Sequence, residues 1–169
     1  MQVRLETRPR RSVRLDLLFS RPELGLFSAV EVKYLTARFS SKVASEDFDL
    51  PNHGAQDVRG YDVIRDMARV ETFITGKKGW NGFVLVLTND GSYWRAPSHS
   101  RPTNAEAFRL YHGARVSGRR AWGPNTGAGT MKGRLEAIGL SGSYELRWRD
   151  FSQMPGTNGL FRVLVVEMR

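Results

Sequence analysis

The chain contains no cysteine, which excludes disulfides and thiolate metal sites and makes the reducing cytoplasm its expected setting. Its three histidines, His53, His99 and His112, stand apart without the spacing of a metal-ligand set. No apolar run approaches the ~20 residues of a membrane span, and the arginine-rich start lacks the apolar stretch of a signal peptide, so no membrane partner is expected. Lysine is scarce, five against twenty-one arginines, and acids are outnumbered 17 to 26, for a net charge of +9. Arginine grips phosphate with a planar two-pronged fork, so a polyanion is the first partner to expect. The plainer reading of the charge is a merely soluble surface. At 169 residues, 40% hydrophobic and 25% charged, the composition is that of one globular domain spanning 1–169.

What is present is organised around Ser28–Leu35, a predicted strand with Val30, Val32 and Tyr34 on one face and Glu31 and Lys33 on the other. Ser12–Phe19 alternates as well: Val13, Leu15, Leu17 and Phe19 share one side, Arg14 and Asp16 the other. Between them, Ser20–Phe27 carries Pro22 and Gly25 and predicts a hairpin. If it folds about Glu23 and Leu24, Asp16 lies across from Glu31. Like charges set opposite one another are destabilising. A divalent cation held by both carboxylates would relieve this, since hard cations choose oxygen ligands. The plain alternative is an amphipathic strand whose wet face carries Glu31 and Lys33.

Asp16, fourteen intervening residues, then Glu31-Val32-Lys33 resembles the signature of the PD-(D/E)xK, or restriction-endonuclease-like, nuclease superfamily, with Leu15 in place of the signature's proline. Gly54-Ala55-Gln56-Asp57, Tyr61-Asp62 and Leu87-Thr88-Asn89-Asp90 with Tyr93-Trp94 resemble a small bacterial branch assigned to that superfamily. The resemblance implies an α/β fold: a central mixed β-sheet with a long helix after the Glu-x-Lys strand. The helix that usually precedes the first core strand is missing here. It also implies that Asp16, Glu31 and the Val32 carbonyl bind Mg²⁺ (or Mn²⁺) and that Lys33 assists the attacking water. Some members carry Gln-x-x-x-Tyr on the following helix; Gln56 and Tyr61 are one residue further apart, and Gln56 at the helix start is a candidate to face the site.

Elsewhere, residues 1–11 read either as a short strand (Val3, Leu5) or as a basic arm with Arg4, Arg8, Arg10 and Arg11. Thr36–Leu50 predicts an extended excursion or a second hairpin, and Pro51–Gly54 a break with Asn52 as helix cap. Ala55–Ile74 is the clearest helix: Val58, Tyr61, Ile64, Met67, Val70 and Ile74 recur at helical spacing. Its polar side takes Gln56, Asp57, Arg59, Asp62, Arg65, Asp66 and Arg69, and Gly76 is its stop. Gly82–Asn89 predicts a strand buried on both faces. Asn104–Tyr111 predicts a short helix, Ala114–Val116 a short strand, and Gly123–Gly133 a loop without the Gly-Lys-Ser/Thr ending of a nucleotide-binding loop. Tyr144–Phe151 and Leu160–Met168 predict the sheet's outer pair.

The expected function is Mg²⁺-dependent hydrolysis of DNA phosphodiester bonds, with RNA an alternative substrate and Arg14, Arg59 and Arg65 holding the backbone without reading sequence. A homodimer would suit duplex cutting. The rivals are a non-catalytic nucleic-acid-binding module and an acid/base hydrolase using Asp16 and Glu31 on a neutral glycan. The positive charge, and the lack of stacking aromatics near those acids, weigh against the glycan.

Overall fold

The computed structural model describes residues 1–10, 13–98 and 101–169; Arg11, Ser12, His99 and Ser100 lie outside the described residues. The fold is mixed α/β, with one six-stranded sheet, one long helix and two hairpins outside the sheet. β1 (Gln2–Arg10) pairs antiparallel with β2 (Val13–Arg21), so the basic start is an edge strand, Val3 opposite Phe19 and Leu5 opposite Leu17. β2 turns through a single 3₁₀ turn, Pro22–Leu24, closed by Gly25 at φ 64°, into β3 (Leu26–Leu35). Leu17 faces Val30 and Leu18 faces Ala29, the register that folding about Glu23 and Leu24 requires.

β3 pairs in parallel with β6 (Trp80–Thr88), Glu31 beside Val84 and Lys33 beside Val86. Parallel neighbours need a long connection. This one carries the hairpin of β4 (Phe39–Val43) and β5 (Glu46–Leu50), then α1 (Gln56–Ile74). The cap position of α1 is Ala55, in the left-handed region at φ 61°, with no side-chain cap, so Asn52 does not serve. The break before it is pinned instead by His53: its backbone N–H donates to the Thr36 carbonyl and its Nδ1 accepts the Thr36 N–H. Gly76, at φ 72°, follows the last turn as predicted.

The hairpin of β7 (Arg115–Arg120) and β8 (Ile138–Glu145) packs on the other side of α1, with the four-residue α2 (Ala128–Met131) between its strands. The expected helix at 104–111 is a 3₁₀ turn, Glu106–Phe108. β9 (Trp148–Gln153) and β10 (Leu160–Met168) finish the sheet, in the order β1-β2-β3-β6-β10-β9. Tyr144–Phe151 is therefore not one strand. Leu146 bonds through its backbone to Gly113 and Ala114, and Trp148 Nε1 donates to the Leu110 carbonyl at 2.6 Å, which breaks the run between β8 and β9. No helix among the described residues is long and apolar enough to cross a membrane.

Which face of the sheet is inside follows from β6. Gly82, Val84, Val86 and Thr88 are buried, while Phe83, Leu85 and Leu87 on the reverse are only half-covered, so β6 is not buried on both faces. On β3, Ala29, Glu31 and Leu35 are buried, whereas Val32 and Tyr34 are 40% and 44% exposed. Glu31 and Lys33 of the central strand thus share the face beneath α1 with Ala29 and Leu35, while of the apolar residues on the reverse Val30 is buried and Val32 and Tyr34 are exposed.

Close approach sets α1 in place. At Gly82 a methyl group would collide with Val70, and at Gly60 it would strike the Phe108 backbone carbonyl. A carbonyl in a packed loop cannot rotate away. Gly60→Ala should therefore cost about 1–3 kcal/mol, seen as a lower urea midpoint at unchanged slope.

Candidate active site

The site begins where β2 leaves β3. Their ladder runs to Leu17 opposite Val30 and stops one residue short of Asp16. Leu15 and Leu18 are both buried, three residues apart, so strict alternation is lost between them. Asp16 turns its carboxylate to the β3 backbone, and its Oδ2 accepts the Val32 N–H at 2.8 Å. A side chain has replaced the strand partner that β2 no longer supplies. A strand residue sends its N–H and C=O toward the same neighbour, so the Val32 carbonyl opens into the same gap.

Glu31, next to Val32, is 1% exposed between the sheet and α1. Arg69 of α1 grips it with two prongs: Nε donates to Oε1 at 3.1 Å, and Nη2 lies 2.6 Å from Oε2. The same Nη2 lies 2.9 Å from Asp66 Oδ1, and Asp66 Oδ2 is 2.5 Å from Lys33 Nζ. Lys33–Asp66–Arg69–Glu31 is thus a chain of alternating charge across the interface between β3 and α1, neutral in sum. Glu31 and Lys33 share a strand face, and Asp66 and Arg69 sit three apart on the helix, the spacing of side-chain neighbours. Burial pushes the Glu31 carboxyl up to about 7; the Arg69 charge opposes this, and Asp66 and Asp16 add to it.

The structure brings together Asp16, Val32, Glu31 and Lys33, and leaves the other expected residues outside. Gln56 is ten residues before Asp66 on α1, about 15 Å along the axis at 1.5 Å per residue, and its Nε2 donates to Asp90 Oδ2 at 3.1 Å. It faces the loop after β6, because α1 runs antiparallel to the strands it covers. Arg14 is ion-paired with Glu6 on the β1–β2 edge. Arg65 lies 2.9 Å from Asp62 and over the Tyr61 ring, while Arg59 is exposed. Six residues at 3.6 per turn put Arg59 and Arg65 about 120° apart, so the three arginines form no common surface.

Asp66 and Arg69 complete the site, yet helical periodicity puts them on the solvent side of α1. The same reading misplaces Asp62, held by Arg134 through two hydrogen bonds (3.0 and 2.8 Å); Glu71, which that reading left unassigned, is buried too and accepts the Ser141 and Gly142 N–H groups and the Tyr144 hydroxyl. A helix covered on two sides buries acids that a one-sided pattern assigns to water. The available signal was Glu31 with Lys33 on one strand face: a helix packed there must bring their counter-charges.

As it stands the arrangement offers one carboxylate with a free oxygen, Asp16, and one whose oxygens are both engaged, Glu31. Among the described residues no group of three or more His, Cys, Asp or Glu is placed to hold a metal. Two carboxylates and a strand carbonyl are nevertheless the oxygen donor set that a hard cation takes. The Arg69 guanidinium is the positive charge now serving the buried carboxylate. Comparison of the chain with protein-family models, with curated proteins and with solved structures finds no match.

The raised Glu31 pKa has a signed consequence. Between pH 4.5 and about 7 the folded chain keeps a proton that the unfolded chain has released. The unfolding free energy should therefore fall as pH rises through that window, relative to Glu31→Gln, which has no proton to lose. Parallel stability curves for the two proteins would contradict this. At pH 8, Arg69→Met leaves Glu31 buried without its partner, either charged or forced to take up a proton, and should cost about 3–5 kcal/mol; adding Glu31→Gln should recover most of the loss.

Proposed function

We propose that this chain is a metal-dependent nuclease of the restriction-endonuclease-like kind, hydrolysing phosphodiester bonds of DNA. One observation carries the reading: Asp16, the Val32 backbone, Glu31 and Lys33 adjoin at the point where β2 parts from β3. The Asp16–Glu31 neighbourhood rests on a hairpin register, and the register is the expected one. The net charge of +9, carried by arginine, supports a phosphate-rich substrate.

Bound by Asp16, Glu31 and the Val32 carbonyl, Mg²⁺ or Mn²⁺ would polarise a scissile phosphate oxygen and offset charge that grows in the transition state. The protein's own residues prepare the rest. Asp16, fixed by the Val32 N–H, presents its remaining oxygen to the gap. Lys33, 30% exposed and oriented by Asp66, reaches solvent from the same strand face as Glu31 and orients a water or a phosphate oxygen. Arg69 must release Glu31, and it keeps Asp66 as partner when it does. Glu31 must also lose its proton, so cleavage at sub-saturating metal should rise with pH through about 7.

A second reading, a nucleic-acid-binding module without catalysis, is favoured by the closed charge chain, in which both Glu31 oxygens and the Lys33 ammonium are already engaged. Incubating the protein with linear and supercoiled DNA and with RNA, in Mg²⁺ or Mn²⁺, separates the two. Cleavage by wild type, reduced at least ~100-fold in Asp16→Ala, Glu31→Ala and Lys33→Ala, is the expected result. Salt-dependent DNA binding with no cleavage of any substrate would establish the binding module instead.

A further inference from the structure

Away from the charge chain, a cavity of about 380 Å³ opens at the N-terminal end of α1, between the segment after β6 and the loop around Phe108. Its wall includes Gln56, Tyr93, Arg95, Asn104, Phe108 and Tyr111. This volume falls in the range of small-molecule sites. Four features of the wall point to a ligand. Tyr93 is 3% exposed and its hydroxyl has no hydrogen-bond partner. Arg95 packs its guanidinium over Gly91 and makes no ion pair among the described residues. α1 starts without a side-chain cap at Ala55, and Asp57, which also lines the wall, turns its Oδ1 to the Val58 N–H at 2.8 Å, so the first-turn donors left to face this end are the N–H groups of Gln56 and Asp57. Tyr111 is partly buried against the core and leaves part of its ring at the cavity.

We propose that this cavity receives a single unpaired nucleotide of the nucleic-acid strand, an inference that rests on the nucleic-acid reading above. The chemistry matches part by part. A nucleobase needs an aromatic face, which Tyr111 supplies, and amides for its edge, which Asn104 and the free carbonyl of Gln56 supply. Its phosphate needs a cation and backbone donors, which Arg95 and the start of α1 supply. A second cleft, lined by Asn158 and Gln153, shares Ser92 and Arg95 with the cavity and offers the strand a path past Arg95. The cavity and the charge chain are about 15 Å apart along α1, roughly four steps of a strand at 3.4 Å each. Duplex DNA would have to unpair to fill it; single-stranded nucleic acid would not.

The test is fluorescence anisotropy in EDTA, so that no cleavage intervenes. Its probes are a labelled ten-nucleotide DNA single strand, the same strand with abasic residues, and the corresponding blunt duplex. The single strand should bind tightest. Arg95→Ala, at an exposed position, and Tyr111→Leu should each weaken its binding roughly ten-fold. Arg119→Ala, which removes one exposed charge elsewhere, should change it far less, and the abasic strand should not sense Tyr111→Leu. Single-strand binding unchanged in both cavity variants, or a wild type that prefers the duplex, overturns the proposal even if the protein cleaves DNA. Loss of binding in those variants alone upholds it even if no substrate is ever cleaved.

Discussion

Two carboxylates buried under one helix are the constraint that the rest of the structure answers. Glu31 and Asp66 are 1% and 2% exposed, and an isolated carboxylate at such depth would cost several kcal/mol or shed its charge. Lys33 and Arg69 make the burial tolerable, and they can do so only if strand and helix hold one relative position. A shift of α1 by one turn would move Asp66 away from Lys33 and set Arg69 against apolar surface. The charge chain thus fixes register at an interface whose other contacts are apolar and could slide. Gly82, admitting Val70, and Gly60, admitting the Phe108 carbonyl, fix the depth to which the helix sinks.

The same constraint explains why the central strand keeps charged residues on its covered face. Val32 and Tyr34 would suit a core, yet the helix covers the other face. The side that bears Glu31 and Lys33 is where polar groups can be matched one for one, and the apolar side forms the half-exposed reverse of the sheet together with Leu85 and Val165. A positive charge on the helix is what lets the strand keep an acid in a dry place. That acid then holds its proton to about pH 7, so a proton and the Arg69 guanidinium compete for one position, and the metal proposed for this site would have to displace both.

Local features were legible in the sequence wherever one signal decided them. The hairpin about Glu23 and Leu24, the span of α1, its stop before Gly76 and the β10 strand all follow from turn residues and periodicity within a dozen residues. Asp16, Glu31, Val32 and Lys33 fall together for the same reason, since a hairpin register is local arithmetic. Asp66 and Arg69 were not legible. Their burial depends on which face of α1 meets β3, some thirty residues earlier in the chain, and on the counter-charges Lys33 and Glu31 waiting there. Gln56 failed in the opposite way: its position at the helix start was right, but chain direction carries that end past the site. Asn52 had the chemistry of a cap, and the His53–Thr36 bonds hold the backbone where a cap cannot form.

Charge makes a poor guide to a binding surface in this protein, because the acids of α1 consume so much of it. Asp62 takes Arg65 and Arg134, Asp66 takes Lys33 and shares Arg69, and Glu6 takes Arg14. Arginines engaged in this way hold the fold and have little left for a phosphate. Positive charge available to a partner must come from residues such as Arg59 and Arg95, which make no ion pair among the described residues, and both lie toward the N-terminal end of α1. A polyanion drawn to that end would meet the cavity first and the charge chain second. Along this helix, attraction and chemistry would therefore be separated: Arg59 and Arg95 lie at its start, and the acids proposed to handle a metal lie beneath its middle.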